Sequence, residues 1–220
     1  MAQAGSDTRP ARDRILDTAF RLFYARGPRG VGVDTLIAES GVAKATFYKH
    51  FPGKEDLILA YLDAADQAWF AALRAAAREA GERPRDQLVG MFDALATACR
   101  REGFHGCAFI NTAAESETGT AAHRRAVEHK NVVRAWVGVL AAQAGAADPV
   151  LLARQLTLLL DGGLAAGVLD APAAASSAAK AAARALVDQA CPDAVTSDPA
   201  TSDPITQCAL GDALVGKANG

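Results

Sequence analysis

The sequence predicts an all-α protein: an N-terminal three-helix unit containing a helix-turn-helix, followed by a larger helical unit, with about nine helices in all. Three observations predict it. Apolar residues recur at three- and four-residue spacing along most of the chain, and no segment alternates as a half-buried strand would. Glycine and proline punctuate that pattern at intervals suited to helix ends, as at Gly27-Pro28, Gly41, Pro52-Gly53 and Asp148-Pro149. Residues 32–55 read as two short helices around a tight turn, and the second of them carries lysines and no acid.

Taken in order, Met1 to Asp7 is small and polar, and residues 1–9 read as an arm. Pro10 suits the first turn of a helix, where its missing N–H costs nothing. Ile15, Leu16, Ala19, Phe20, Leu22 and Phe23 form its apolar stripe and Gly27-Pro28 stops it. Gly32 caps a second helix with Val33, Leu36 and Ile37 inward. Gly41 supplies the turn, where a positive φ is least strained without a Cβ. A third helix spans Ala43 to Phe51 and ends at Pro52-Gly53. A long fourth begins at Lys54 and runs to about Ala80, where Gly81 can end it.

After Pro84 one helix is expected through Leu88, Val89, Phe92, Leu95, Ala96 and Cys99, then a short one from Cys107 to about Glu115. His123 to Ala144 follows, with Val127, Val132, Val133, Trp136, Val137 and Leu140 as its apolar positions. A leucine-rich helix starts after Asp148-Pro149, and Ala173 to Ala190 forms an alanine-rich last one. From about Pro192 the pattern dissolves into a Pro/Ser/Asp-rich stretch, so residues 192–220 read as a disordered tail. The implied organisation is an arm (1–9), a helix-turn-helix unit (10–56), a regulatory and dimerising unit (57–191) and a tail.

Bulk properties narrow the function classes. The chain has 220 residues, half of them hydrophobic, and a net charge of −2, so it is not a polybasic coat for nucleic acid. Local positive charge suffices for a specific reader, because phosphate attraction acts over about one Debye length, about 8–10 Å. Lys44, Lys49 and Lys54, with His50, supply that charge between Val42 and Lys54, and acids resume at Glu55 and Asp56. Cys99, Cys107, Cys191 and Cys208 form no CxxC pair or metal-finger spacing. There is no apolar signal core and no uninterrupted apolar run long enough to span a bilayer, so a cytoplasmic protein with reduced thiols is expected, without membrane attachment. No phosphate loop, Gly-x-Ser-x-Gly elbow or HExxH is present. No enzymatic activity, cofactor or resident metal is therefore expected.

The joint pattern of an aromatic-bearing first helix, Leu36-Ile37-Ala38-Glu39-Ser40-Gly41-Val42, Thr46-Phe47-Tyr48-Lys49-His50-Phe51 and Lys54-Glu55-Asp56-Leu57 resembles the N-terminal domain of the tetracycline-repressor (TetR) family of transcriptional regulators. The resemblance covers residues from about 12 to 58. It implies that Lys44 and Ala45 face base edges, Lys44 toward guanine and Ala45 toward a thymine methyl, with Lys49 also facing the groove. It implies further that Thr46 bonds a phosphate or a base, that Tyr48 and His50 hold phosphates, and that Thr35 and Lys54 do the same at the starts of their helices. Phe47 and Phe51 would pack inward. Ala43 stands where many relatives have a capping Ser, which leaves that helix about 1 kcal/mol less stable.

The remainder must supply what a reader of double-stranded operator DNA needs. A homodimer through the last two long helices, about 149–190, would present two recognition helices one DNA turn apart, about 34–36 Å. Gly163, Gly167 and the alanines Ala178, Ala179, Ala182, Ala183 and Ala185 mark the candidate dimer face. The family resemblance implies a small-molecule effector in the middle helices, apolar or aromatic from the residues there. Candidate cavity residues are Trp69, Phe70, Phe92, Leu95, Cys99, Phe104, Phe109, Ile110 and Trp136, with His105, Asn111, Thr112, Glu115 and His123 as orienting polar groups.

Gly106-Cys107-Ala-Phe-Ile-Asn111 resembles a Gly-Cys-x-Phe-x-Asn segment found in a subset of the family. For Cys107 three readings stand: a small core residue, a redox or electrophile sensor with His105 beside it, and a metal site shared with Cys99, His105 and His123. The expected function is a ligand-responsive transcriptional regulator. Repression is the default over activation, because occupying the operator suffices for it. A helical interaction protein that no longer binds DNA is the rival from another class.

Overall fold

The computed structural model describes residues 9–192, and these form ten helices joined by short turns and loops, with no strand among them. The expected arm and tail, and Cys208, lie outside the described residues except for Arg9 and Pro192. The helices are α1 (Ala11–Arg26), α2 (Val33–Ser40), α3 (Lys44–His50), α4 (Lys54–Glu79), α5 (Pro84–Gly90), α6 (Phe92–Cys99), α7 (Ala108–Glu115), α8 (Ala121–Gln143), α9 (Pro149–Leu169) and α10 (Pro172–Ala190).

The difference from nine lies between Pro84 and Cys99, where one expected helix is two. Residues 88–92 are buried one after another, so no straight amphipathic helix could hide them all. The chain turns at Met91, where the Ala94 N–H reaches back only three residues to the Met91 carbonyl, 3.2 Å away. Gly90 lies against the Ala80 side chain, so a side chain there would strike the end of α4.

Helices α1–α3 and the start of α4 enclose a small core of Ile15, Ala19, Leu22, Phe23, Leu36, Phe47, Phe51, Leu57 and Tyr61, each at most 3% exposed. Gly41 takes φ 64° and ψ 28° between α2 and α3, the left-handed conformation anticipated for the turn. Ala43 is the N-cap of α3 in extended geometry and no side chain caps the helix, also as anticipated. Ala43→Ser should therefore raise the melting stability by about 1 kcal/mol, checked by denaturant unfolding, because a serine hydroxyl would reach an orphan N–H of the first turn.

Helix α4 leaves this unit and continues into the second, where it packs on α5, α6, α7 and α8. Helix α9 lies against α8, α10 and α6, and α10 covers α5 and α6. Asp148 caps α9 by accepting from the Leu151 N–H at 2.9 Å, and Thr120 caps α8 by accepting from the His123 N–H at 3.3 Å. Val127 and Val132, expected inward on α8, are each 44% exposed, because Ala126, His129, Val133 and Val137 form the buried face.

Helix α9 is long and apolar enough to cross a membrane by length and composition, but 44% of its apolar window is buried against the protein. Its glycines divide by face. A Cβ on Gly163 would lie 2.5 Å from Leu95 Cδ2, and one on Gly167 would lie 2.7 Å from Cys99 Sγ. Both let α9 settle on α6. They belong to the interior of the chain, a correction to the expectation that they mark a dimer face. Gly162 meets nothing within 4 Å and sits on the outward face with Leu151, Leu158 and Leu169. On α10, Ala179 and Ala183 are likewise interior, whereas Ala178 and Ala185 are exposed and Ala182 is half-buried.

Candidate functional site

Helix α3 presents one face to solvent and one to the core. Phe47 is fully buried and its ring meets Tyr48 edge-on and Phe51 at a tilt, with centroids 5.4 and 6.4 Å away. Arg12 of α1 lies over the Phe51 ring at 5.3 Å. That fixes the outer face. Lys44, Ala45, Tyr48 and Lys49 are exposed, and Thr46 and His50 are half-buried at its sides. Tyr48 is 43% exposed, which no packing need explains for a ring of that size.

Thr35 and Lys54 are half-buried at the starts of α2 and α4. Lys44 Nζ stands 4.0 Å from the Asp34 carboxylate, both well exposed, a pairing too weak to hold the lysine away from another anion. Arg21 donates to Glu39 at 2.5 Å and ties α1 to α2.

A second concavity lies where the two units meet. A cavity of about 510 Å³ is walled by α1 (Phe20, Arg21, Tyr24, Ala25), α4 (Ala65, Ala68, Trp69, Ala72), α6 (Ala94, Thr97, Ala98), the segment 101–107, Ala108 and Phe109 of α7, and Leu164 of α9. Of the expected wall residues, Trp69, Phe104 and Phe109 line it, as does the polar His105.

The others do not. Phe92, Leu95 and Cys99 are buried in the core on which α9 and α10 rest. Phe70 turns to meet Trp136 edge-on at 5.5 Å and Arg74 at 4.3 Å, away from the cavity. Ile110 is 41% exposed. Asn111 instead donates to the His105 carbonyl at 2.7 Å, and His123 borders a shallower groove on α8. Phe20 and Tyr24 were missed because α1 was read for its core stripe alone. The available signal was that Phe23 and Tyr24, adjacent on a helix, cannot both face one core.

Tyr24 joins the units. Its hydroxyl donates to the Gly106 carbonyl at 2.9 Å and accepts from the His105 N–H at 3.2 Å, and its ring meets the His105 ring edge-on at 5.6 Å. Gly106 takes φ 81°, and a Cβ there would lie 3.2 Å from Val168 Cγ2 of α9. Nine residues on, Glu115 accepts from the Arg29 N–H at 2.9 Å and its carboxylate covers Gly27, leaving no room for a side chain there. The 105–115 segment is thereby tied to α1 at Tyr24 and to the turn after α1 at Gly27 and Arg29.

Behind the cavity, His129 of α8 is 1% exposed and stacked on Phe109, with ring centroids 3.6 Å apart and planes at 5°. Its Nδ1 lies 2.5 Å from Asp66, which also accepts from Arg125 at 2.7 Å. Burial holds His129 below the ordinary histidine range, against the opposing pull of Asp66. Burial pushes Asp66 up, but its bonds to Arg125 and His129 outweigh that and leave it below the usual carboxylate range.

The sign follows for both. A histidine that is harder to protonate when folded stabilises the protein above its unfolded value of 6.5, and that stability is lost as pH falls below it. Asp66 adds a further loss below its own unfolded value of 3.8. The melting temperature should fall on acidification from about pH 7 to about pH 5, and His129→Gln should flatten that slope.

Cys107 is 9% exposed, lines the cavity and is the N-cap of α7. The cation beside it is Lys130 of α8, whose Nζ donates to Sγ at 3.4 Å and pairs with Asp161 of α9. His105, expected in that place, is turned toward Tyr24. Among the described residues no group of three or more His, Cys, Asp or Glu is placed to hold a metal ion, so Cys99, His105, Cys107 and His123 are not gathered into a ligand set.

The family model for bacterial regulatory proteins of the tetR family matches residues 15–61, the span of α1 to the start of α4. The full chain extends the likeness: a TetR-family transcriptional regulator from Streptomyces coelicolor is 39% identical, with 82% of this chain and 95% of that one covered and a TM-score of 0.77. The chain belongs to the TetR family of transcriptional regulators.

A second structure of the family, a TetR-type regulator from Streptomyces avermitilis, is 30% identical over 83% of this chain and 98% of that one, with a TM-score of 0.68. Among curated relatives, the transcriptional regulator TcmR of Streptomyces glaucescens is 36% identical over 87 residues, 40% of this chain and 38% of that regulator. This TetR-family chain thus matches well under half the length of that relative. These relatives are named as transcriptional regulators, not as enzymes. In a TetR-family regulator, the helix-turn-helix of α2 and α3 is the DNA-binding element.

Proposed function

We propose that this regulator represses transcription by occupying a palindromic operator as a homodimer, and releases it when a small apolar or aromatic effector fills the cavity between α1, α4 and α6. Residues 10–56 form the reading head, and 57–191 the sensing and dimerising body. Its setting is the cytoplasm, where the chromosome lies. The observation that carries this reading is that α1, part of the head, is itself a wall of the cavity. A ligand that alters the spacing of α1 from α6 alters the placement of α3, since α1 and α3 share one core. Differential affinity for two head positions is all that such release requires.

Lys44, Ala45, Thr46 and Lys49 meet base edges or phosphates in the major groove, and Thr35, Tyr48, His50 and Lys54 hold the backbone. The Gly106–Asn111 segment fits the Gly-Cys-x-Phe-x-Asn subset in sequence. Dimerisation uses the outward faces of α9 and α10, where Leu158 and Leu169 are 70% and 83% exposed and Gly162 lets a second helix approach closely. The test of the head is a gel-shift titration at fixed salt. Lys49→Ala and Tyr48→Ala should each weaken operator binding about tenfold with unchanged circular dichroism, and Lys49→Ala should lower the salt slope by about 1. Unchanged binding in both variants would remove the assignment.

A further inference from the structure

We propose that the effector cavity takes an aromatic carboxylate, with its ring on the apolar floor and its anionic head held at the mouth by Arg101. The inference rests on the cavity reading above and gives that effector a charge.

The cavity is polarised along its depth. Ala65, Ala94, Phe109 and Leu164 are buried and make an apolar floor. Thr97, Arg101 and His105 are exposed and stand on its rim. The sequence of α6 builds this gradient. Thr97, Ala98 and Arg101 fall three, four and seven residues after Ala94, so all four share one face of α6 and of the turn that continues it. The Arg101 N–H reaches back to the Ala98 carbonyl at 3.1 Å and keeps Arg101 on that face. One wall thus runs from a buried methyl to an exposed guanidinium.

The charged side chains that border the cavity are Arg21, Arg101 and Glu102, and they are not equivalent. Arg21 is committed to Glu39. The Arg101 guanidinium and the Glu102 carboxylate have no ion-pair or hydrogen-bond partner among the described residues. Of these two, Arg101 is the one whose charge reaches inward: burial raises the Tyr24 phenol above its ordinary value, and Arg101 is among the groups that draw it back. The Tyr24 hydroxyl itself is taken by the Gly106 carbonyl and the His105 N–H, so it has no proton to offer a ligand.

An arginine on open surface is simply hydrated. Here the cation stands over an apolar chamber of about 510 Å³, inside the range of about 300–1,000 Å³ typical of ligand pockets, where a few polar groups set orientation. A guanidinium offers a carboxylate two parallel N–H donors, a match in charge and direction that no neutral head reproduces. The Thr97 hydroxyl, four residues earlier on the same face, supplies a further donor. The rings of Phe20, Trp69 and Phe104 flank the space between rim and floor and suit a flat tail.

The experiment uses the full chain and three ligands of one shape and different charge: 2-naphthoate, 2-naphthamide and 2-naphthylmethylammonium. Calorimetry at fixed salt gives each affinity, Trp fluorescence follows entry, and a gel shift follows operator release. The naphthoate should bind about tenfold tighter than the amide, and the ammonium ion weakest of the three. Arg101→Gln should erase that preference and leave the affinity for the amide unchanged, which also shows the variant to be folded. Arg101→Lys should keep part of the preference, because the charge stays and the fork is lost. Glu102→Gln should leave the order of the three ligands as it is. Ala68→Trp, at an exposed position of the α4 wall, should exclude all three.

Equal binding of acid and amide, a preference that survives Arg101→Gln, or tightest binding of the ammonium ion through Glu102 would overturn the proposal while the cavity reading stands. Binding that persists in Ala68→Trp would put the ligand elsewhere and overturn it too. If the naphthoate binds through Arg101 without weakening operator binding, the carboxylate assignment holds and ligand-driven release fails. If none of the three ligands binds, the aromatic effector falls, and the carboxylate with it.

Discussion

Phe47→Ala is expected to unfold the DNA-reading unit and abolish operator binding. Phe47 is 0% exposed on a helix of only seven residues, which is too short to persist by itself. Helix α3 has no capping side chain and no acid in its first turn, so its stability comes from packing. The ring contacts Tyr48 and Phe51, and α3 touches α1 through the same core. Truncating a buried phenylalanine costs about 3–5 kcal/mol, transfer and cavity together, a large part of what a unit this small has. Denaturant titration should show an early transition for the head, and gel shift should show no complex. A midpoint shift under about 1 kcal/mol would mean that Phe47 does not hold the unit together.

Leu158→Glu is expected to separate the dimer and leave the protomer folded. Leu158 is 70% exposed in the middle of the outward face of α9, so the carboxylate meets only water in a monomer. In a dimer about a local two-fold, the two charges would be brought together across an apolar surface, which costs several kcal/mol. Operator affinity should then fall by about 10²–10⁴, because a second half-site contact no longer follows the first within one molecule. Sedimentation should show a single protomer at micromolar concentration with unchanged helix content. A dimer that persists would move the interface to the exposed valines of α8, Val127, Val132 and Val139.

The reading head was the most legible part of the sequence, because local rules and packing agree there. Gly41 is needed for a left-handed turn, Pro52-Gly53 for a stop, and Phe47 and Phe51 fall four apart on one face. The body was legible as helices and not as surfaces. Leucine and glycine on α9 occur on both faces, so composition could not tell Gly163, pressed onto Leu95, from Gly162, which is open. The cavity was half legible for a similar reason. Trp69, Phe104 and Phe109 line it, but its alanine walls carry no sequence signal, and Phe92 and Leu95 look the same in sequence whether they face a core or a ligand. The break at Met91 was invisible because five consecutive buried residues have no period.

The ties from α1 and the turn after it to the 105–115 segment bear on how such a protein can be recombined. Tyr24 and Gly27 come from one end of the chain's reading head, whereas Gly106 and Glu115 come from the sensing body. A chimera that grafts another regulator's first fifty residues onto this body would inherit the operator preference but leave Glu115 facing a foreign corner. Grafts that carry a tyrosine and a glycine in those two places should transmit the effector signal, and grafts that carry neither should bind DNA without heeding it.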